Sequence, residues 1–290
     1  HGIYSQNQAK HTVKRYVDNI VFENAGFGLH LYGSDPYLDG LYVEGNCCFA
    51  TGLMPRHPNP PQVNILIGGM NRLANVIVRG NCTYHPSATS KRGVDIGYSG
   101  SPNRDILIEN NYFTGGSHAM ELKGVSDAVV RSNQFWAPRG TIVMQTVARP
   151  GPKPIPASEL PKLGDELDVL GKLSMEEEPA ETERPSKPVV IWEHNTYLDN
   201  GAFDLAAWRE RSGSGATDRF GSGTAGRPAD VFVFTRINRY EPDRVHLAIF
   251  NWPRTDAVAI PLDDVLQNGQ SFRLMDPRDL WGKPVAAGTY

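Results

Sequence analysis

A chain of 290 residues can bury a large hydrophobic core, in one domain or in two. Its formal net charge of −3 excludes a globally basic nucleic-acid-binding protein. No segment approaches the roughly 18 uninterrupted apolar residues of a membrane-spanning helix, so we expect no membrane span.

A short pattern recurs along the first 200 residues: an apolar residue, any residue, an apolar residue, two further residues and Asn. It ends at six asparagines, which are Asn24, Asn46, Asn81, Asn111, Asn133 and Asn195. Short segments of alternating apolar residues predict β-strands rather than helices. Most of these segments precede a second alternating segment, in turn "LHLYG", "NILIGG", "VDIGYS", "MELKG", "TIVMQT" and "FDLAAW". Such units cannot bury their apolar faces alone, which predicts a solenoid of stacked coils.

The recurrent Asn has a structural explanation. Its side chain can satisfy backbone groups at a bend, and Asn tolerates the left-handed backbone conformation. Stacked coils would place these residues above one another in a ladder, so we assign them no chemistry.

The repeat resembles the right-handed parallel β-helix of the pectate-lyase type over about residues 1–208. The segment "HGIY", followed by "DNIVFENAGFGLHLYG", is also similar to secreted bacterial β-helix repeat proteins. The resemblance implies an all-β protein that is secreted or periplasmic, works as a monomer and has a polysaccharide or oligosaccharide as its partner. This architecture hosts lyases, hydrolases, epimerases and adhesins, so the fold alone does not assign a reaction.

Three further segments depart from the repeat. Residues 148–188 are rich in Pro and charge, which predicts a long loop with a short helix near Asp165–Leu173. Residues 209–229 are rich in Gly and Ser and are predicted to form a linker or loop. The alternating segments "VFVFTRI", "VHLAIFNW", "AVAIPL" and "SFRLMD" predict an antiparallel β unit over residues 230–290. This unit resembles the small β-sandwich of many glycoside-acting enzymes and looks incomplete.

We therefore expect the sequence to be a fragment, with His1 an internal residue on the first coil. The motivation is that "GIYSQ" aligns with the strand "LHLYG" one repeat later, with no capping element before it. Any signal peptide would then lie outside this sequence.

Alternation along the second strand of each unit predicts which side chains point outward. One outward column holds Tyr4, His30, Leu66, Asp95, Glu121, Val143 and Asp204. The other holds Gln6, Tyr32, Gly68, Gly97, Lys123, Gln145 and Ala206. The mixture of aromatic rings, amides, a histidine and acids around small residues is typical of a carbohydrate-binding groove, where rings stack on sugars and polar groups bind hydroxyls.

The candidate catalytic residues are Lys123, His30, Glu121 and Asp95, and the candidate substrate-binding residues are Tyr4, Gln6, Tyr32 and Gln145. Two stacked carboxylates, Asp95 and Glu121, repel each other unless one is protonated, a cation lies between them, or Lys123 compensates them. A protonated carboxyl group would be a general acid, and a bound Ca²⁺ could neutralise a uronate. The plainer alternative is that Glu121 and Lys123 form an ordinary surface ion pair.

Three functions remain open at this point. A polysaccharide lyase or epimerase needs a base and a group that neutralises the uronate, which Lys123, His30 and the two acids could supply. However, the β-helix lyases related to the alginate and chondroitin enzymes pair their Lys with an Arg on the following coil. This chain has Val143 and Gln145 at the equivalent outward positions. A glycoside hydrolase would use the two carboxylates, although the acidic and basic motifs of the polygalacturonase β-helix family are missing. The third alternative is a non-catalytic carbohydrate-binding or structural solenoid.

Two cysteines and a further histidine also have predictable environments. Cys47 and Cys82 each follow a ladder Asn, so they could meet on consecutive coils and form a disulfide, although buried free thiols are the expectation. His118 precedes an inward Met, so a turn position explains it as well as a functional role does.

Overall fold

The structure is a computed structural model that describes residues 1–7, 12–33, 38–52, 62–86, 92–98, 102–139, 141–147, 189–198, 200–221, 223–224 and 226–290. The predicted loop at 148–188, with its helix near Asp165–Leu173, lies outside the described residues.

The described chain forms a parallel β-helix built from three parallel sheets, as predicted. The first sheet contains β1 (Ile3–Ser5), β4 (Leu29–Leu31), β7 (Ile65–Ile67), β10 (Val94–Ile96), β13 (Met120–Val125) and β16 (Val143–Val147). The second sheet contains β2 (Lys14–Val17), β5 (Leu38–Glu44), β8 (Leu73–Arg79), β11 (Ile106–Glu109), β14 (Asp127–Arg131) and β17 (Val189–Glu193).

The third sheet completes each coil. It contains β3 (Ile20–Phe22), β6 (Cys47–Phe49), β9 (Cys82–His85), β12 (Tyr112–Gly115), β15 (Gln134–Trp136), β18 (Thr196–Leu198) and β19 (Arg219–Gly221). Neighbouring strands within each sheet belong to successive coils, so every column of side chains is repeated at a spacing of about 4.8 Å. The inward columns, such as Leu29, Ile65, Val94 and Met120, are fully buried and form one continuous core.

An asparagine ladder fixes how the coils stack. Its members are Asn19, Asn46, Asn81, Asn111, Asn133 and Asn195, and each side-chain amide donates to the side-chain oxygen of the next at 2.8–3.0 Å. From Asn46 onward, the amide also donates to a backbone carbonyl one coil back, as Asn111 does to Val78. Asp218 ends the ladder, because a carboxylate only accepts hydrogen bonds.

The structure corrects the first member of this ladder, since Asn24 was predicted and Asn19 occupies the position. The alternation in "NIVFEN" belongs to β3 of the third sheet, whereas the true repeat begins at the polar residue Lys14. The residue before each ladder Asn adopts a positive φ, as in Asp18 (55°) and Ser132 (54°), and this bends the chain from the second sheet into the third.

The predicted last strand "FDLAAW" is instead a helix, α1 (Leu205–Ser212). Asp204 caps it by accepting a hydrogen bond from the backbone N–H of Ala207, and Gly213 ends it with a φ of 68°. Phe203 and Leu205 are buried, as the alternation predicts. Trp208 is buried as well because the segment is helical, and all three side chains belong to the hydrophobic core.

The predicted linker at 209–229 is also wrong in part, because β19 pairs in parallel with β18 and extends the third sheet. Beyond it, β20 (Gly223–Thr224) pairs with β21 (Arg227–Pro228), β22 (Phe232–Ile237) with β23 (Val245–Phe250), and β24 (Ser271–Leu274) with β25 (Ala286–Thr289). All three pairs are antiparallel. The last two lie within residues 230–290, where an antiparallel unit was predicted, whereas β20 and β21 fall in the predicted linker, and "AVAIPL" forms no strand.

The β22–β23 hairpin packs on the outer face of the third sheet. Its aromatic residues meet the outward column of the third sheet, a contact formed by Phe232, Phe234, Phe250 and Trp252 against Cys47, Cys82, Tyr112, Trp136 and Leu198. Arg236 adds ion pairs to the buried Asp18 at 2.6 Å and to Glu44 at 3.0 Å. Cys47 and Cys82 are paired in register, and both are buried free thiols.

In the part of the chain that the structure describes, no helix is long and apolar enough to cross a membrane.

The ladder yields a stability prediction. Asn111→Ala removes four side-chain hydrogen bonds at a fully enclosed position and leaves the Val78 carbonyl without its amide donor. We expect the free energy of unfolding to fall by about 2–5 kcal/mol, since each buried unsatisfied group costs about 1–3 kcal/mol. Urea unfolding followed by circular dichroism measures it. The exposed Asn268→Ala is the control, and an equally small loss for both variants would contradict a stabilising ladder.

Candidate functional site

The first sheet presents one outward column that runs the length of the described coils. Backbone pairing places Tyr4 beside His30, His30 beside Leu66, Leu66 beside Asp95, and Asp95 beside Glu121. The sequence therefore located these side chains on one face and in the right order. Their functional roles are a separate matter.

The prediction fails at the last coil. Val143 pairs with Met120 and is fully buried, so Met144, not Val143, follows Glu121 in the outward column. Gln145 pairs with the inward Leu122, and its side-chain oxygen accepts a hydrogen bond from the indole N–H of the buried Trp192. Two consecutive apolar residues, Ile142 and Val143, made the alternation ambiguous by one residue. Gln145 is therefore a hydrogen-bond partner of Trp192 and not part of the groove. The predicted column members Asp204 and Ala206 lie at the start of α1.

One end of the column is a cluster of aromatic rings. His30 stacks on Phe27 at 4.1 Å between ring centroids and lies 4.6 Å from His1, 5.1 Å from Tyr4 and 5.3 Å from Tyr32. The side-chain amide of Gln6 donates to the Tyr4 hydroxyl at 2.7 Å, and Tyr4 is 52% exposed. We call these residues the aromatic platform, since they offer accessible ring faces and polar edges to a ligand.

The environment of His30 favours a ring-stacking role over proton transfer. Burial is the main cause that lowers the pKa of His30 to about 4. A general base works best when its pKa is near the working pH, so a His with this pKa is a weak proton acceptor at neutrality.

The other end of the column is a compact group of four charges, which we call the charge tetrad: Arg92, Asp95, Glu121 and Lys123. Lys123 Nζ lies 2.9 Å from Asp95 Oδ2 and 3.6 Å from Glu121 Oε2. Arg92 also bridges the two acids, 3.1 Å from Asp95 Oδ2 and in direct contact with Glu121 Oε2. The four side chains are between 8% and 25% exposed, so the tetrad is more than a solvated surface pair.

The tetrad decides among the three ways in which stacked carboxylates can persist. Protein cations compensate both acids, so the geometry does not call for a metal. A Ca²⁺ ion needs six or more oxygen ligands, and the described residues contain no group of three or more His, Cys, Asp or Glu side chains that could hold a metal ion. Asp95 and Glu121 therefore do not fit the predicted calcium site.

Lys123 is likewise unsuited to the role of base. Both of its ion pairs depend on a positively charged ammonium group, which has no lone pair to accept a proton. The tetrad is better suited to binding: two cations are fixed on the outward face, and one oxygen, Asp95 Oδ1, is buried without a hydrogen-bond partner.

Arg92 was missed because it precedes its strand by two residues, outside the segment that alternates. A signal was present: "RGVDI" and "HAMEL" align, which puts Arg92 three residues before Asp95, as His118 is before Glu121. The i,i+3 spacing lets the Arg92 guanidinium reach back to Asp95.

Between the aromatic platform and the charge tetrad, the outward positions carry an uncharged side chain or only glycine. Leu66 separates His30 from Asp95, and Gly68 and Gly97 lie between Tyr32 and Lys123 on the parallel column. Gly97 has a φ of 91°, and a Cβ there would collide with the carbonyl oxygen of Lys123, so only glycine fits. Platform and tetrad thus flank a shallow floor about two coils wide, on the order of 10 Å.

A second groove, of about 450 Å³, lies over the outward face of the second sheet. Tyr42, Ile77, Leu107 and Val129 form an apolar strip in it, beside Asp105 and Asp127. Partial desolvation of the carboxyl group, and then the charge of Asp105, raise the pKa of Asp127. We favour the first sheet as the functional site because its charged groups are held and largely buried, whereas Asp127 is exposed.

Comparison of the chain with models of known protein families, with curated proteins and with solved structures returned no match.

The tetrad yields a second prediction. In a double-mutant cycle, Asp95→Asn and Lys123→Met should show a coupling energy of about 1–3 kcal/mol in unfolding experiments, because the pair is shielded from water. The matched control is Glu241–Arg244, which has the same 2.9 Å separation but is more than half exposed. It should couple by less than about 1 kcal/mol. Equal coupling in the two pairs would show that the tetrad is an ordinary surface feature.

Proposed function

We propose that this protein binds a uronic-acid-containing polysaccharide along the outward face of the first sheet and acts on it as a lyase or epimerase. The observation that supports the proposal is the continuity of the face, with aromatic rings at one end and fixed cations at the other. A neutral or acidic sugar ring can stack on Tyr4 and His30, while Arg92 and Lys123 lie where a neighbouring uronate carboxylate would bind.

Both reactions begin with loss of the proton at C5, and the carboxylate of the same sugar takes up the developing negative charge. Cations that are already fixed in place stabilise that charge without reorganisation. Such electrostatic stabilisation is the largest contribution to the rate enhancement of many enzymes. In this proposal Arg92 and Lys123 supply that stabilisation, and Asp95 and Glu121 hold them in position. The β-helix likeness to the pectate-lyase type and a secreted or periplasmic location belong to the same proposal.

One observation supports a second candidate function, a carbohydrate-binding solenoid without catalysis. The tetrad has two positive and two negative groups, so it has no net charge with which to attract an acidic polymer. Such a site could bind neutral sugar hydroxyls through its donors and acceptors. The hydrolase alternative is less favoured, because Arg92 and Lys123 form ion pairs with both carboxylates, whereas hydrolysis needs one of them to act as a general acid.

The reaction predicts separate effects at the two ends of the face. Lys123→Met should lower turnover of an oligouronide at least tenfold, because charge stabilisation in the transition state is lost. Tyr4→Ala should instead raise KM by up to about tenfold with turnover unchanged, since one ring contact is worth about 0.5–1.5 kcal/mol. Absorbance of the unsaturated uronate product measures elimination, and proton exchange at C5 in deuterated solvent measures epimerisation.

The control is Tyr240→Ala, which removes another exposed tyrosine, 67% accessible, from the C-terminal part of the chain. It should leave both parameters unchanged. If the wild-type protein binds a glycan but forms neither product, the binding solenoid becomes the function, and a preference for neutral over acidic oligosaccharides would support that outcome.

A further inference from the structure

Loss of the C5 proton requires an acceptor near the tetrad, and the sequence-based candidates do not supply one. His30 lies two coils away and has a pKa of about 4, while Lys123 is held as an ion-paired cation. Any base must lie within hydrogen-bond reach of the proton that it removes. The residues around Arg92 are therefore the place to search.

His118 occupies the position below Arg92 on the next coil. Gly93 N–H donates to the His118 carbonyl at 2.8 Å, and Val94 N–H donates to the Ala119 carbonyl at 3.0 Å. These bonds put His118 in register with Arg92, and Arg92 also forms a bridge with Gly116. Since His118 precedes Glu121 by three residues, as Arg92 precedes Asp95, His118 lies beside the tetrad on the side formed by Arg92.

The His118 ring has a fixed partner. Its Nδ1 lies 3.1 Å from Ser117 Oγ, and both residues are half-buried. With the proton on Nδ1, the ring donates to the serine hydroxyl and leaves Nε2 as an acceptor. The sequence left His118 open between a turn residue and a functional one, because the register with Arg92 is visible only in the coil geometry.

We infer that His118, oriented by Ser117, is the proton acceptor of the reaction proposed above for the first sheet, and this inference rests on that proposed function. Nε2 takes the C5 proton of a uronate whose carboxylate lies against Arg92 and Lys123. The C5–H electron pair forms the C4=C5 double bond as the C4–O4 bond breaks. The imidazolium then returns the same proton to the departing O4, so the step balances without a further reactant.

The charged surroundings of His118 support the neutral form that a base requires. Burial, and then the positive charge of Arg92, lower the pKa of His118 from its ordinary 6.5. Glu121 and Lys123 follow His118 on β13, and Arg92 and Asp95 belong to the preceding coil. On the following coil, Thr141 and Ile142, which are in register with His118 and Ala119, are uncharged. The neutral base predominates above the lowered pKa, so the rate should be flat near neutrality and fall at acidic pH.

The test is the turnover of an oligouronide by the whole chain as a function of pH. His118→Gln should lower kcat about 100-fold or more with KM little changed, and its residual rate should lack the acidic fall. Ser117→Ala should lower kcat and shift the acidic fall, and Ser117→Thr should restore both. His194→Gln, an exposed histidine at a bend between the second and third sheets, is the control that should behave as wild type.

The outcomes separate the two proposals. If the wild type forms product and His118→Gln forms it at a similar rate, His118 is not the base, while the proposed reaction stands. If the wild type forms no product from any uronate-containing polysaccharide, the reaction itself is overturned and the role of His118 with it. Should His118→Gln fail to fold by circular dichroism, the pH profile of Ser117→Ala decides: an unshifted acidic fall overturns the proposal.

Discussion

The vertical stacking of coils through buried asparagines is the constraint on which the rest of the structure depends. Each ladder side chain satisfies its neighbour and a backbone carbonyl, so the register of one coil is tied to the next. A slip of one residue would leave buried amides without partners, at about 1–3 kcal/mol each, and would turn every outward side chain into the core. That register brings Asp95 above Glu121, and it brings Arg92 above His118 although they are far apart in sequence.

The same stacking of coils explains why the two ends of the first sheet differ in chemistry. In a solenoid the same strand position recurs on every coil. The chemistry along a face is therefore set by which residue occupies that position on successive coils. Along the outward column the chain moves from rings at Tyr4 and His30, through Leu66, to charges at Asp95 and Glu121. In the proposed function, these positions offer ring stacking and then charge to the successive sugars of one polymer.

Much of this could be predicted from the sequence, because a period-two pattern and a recurrent Asn report the fold directly. Prediction failed where alternation gave way to another physical rule. Asp204 and Gly213 cap a helix in a segment that alternates like a strand, and Ile142 followed by Val143 hid the register that turns Gln145 inward. Arg92 and His118 each precede their strand by two residues, outside the alternating segments, so only the hydrogen bonds between coils reveal that they lie beside Asp95 and Glu121.

The central claim is that a polysaccharide lies along the outward face of the first sheet. Hydroxyl-radical footprinting of the whole chain, with and without a saturating oligouronide, tests it most directly, because tyrosines mark each face. The account predicts protection of Tyr4, Tyr32 and Tyr98 on the first sheet, with unchanged labelling of Tyr42 on the second sheet and of Tyr240 in the C-terminal part. Protection of Tyr42 with Tyr4 and Tyr32 unaffected would contradict it and move the site to the groove over the second sheet.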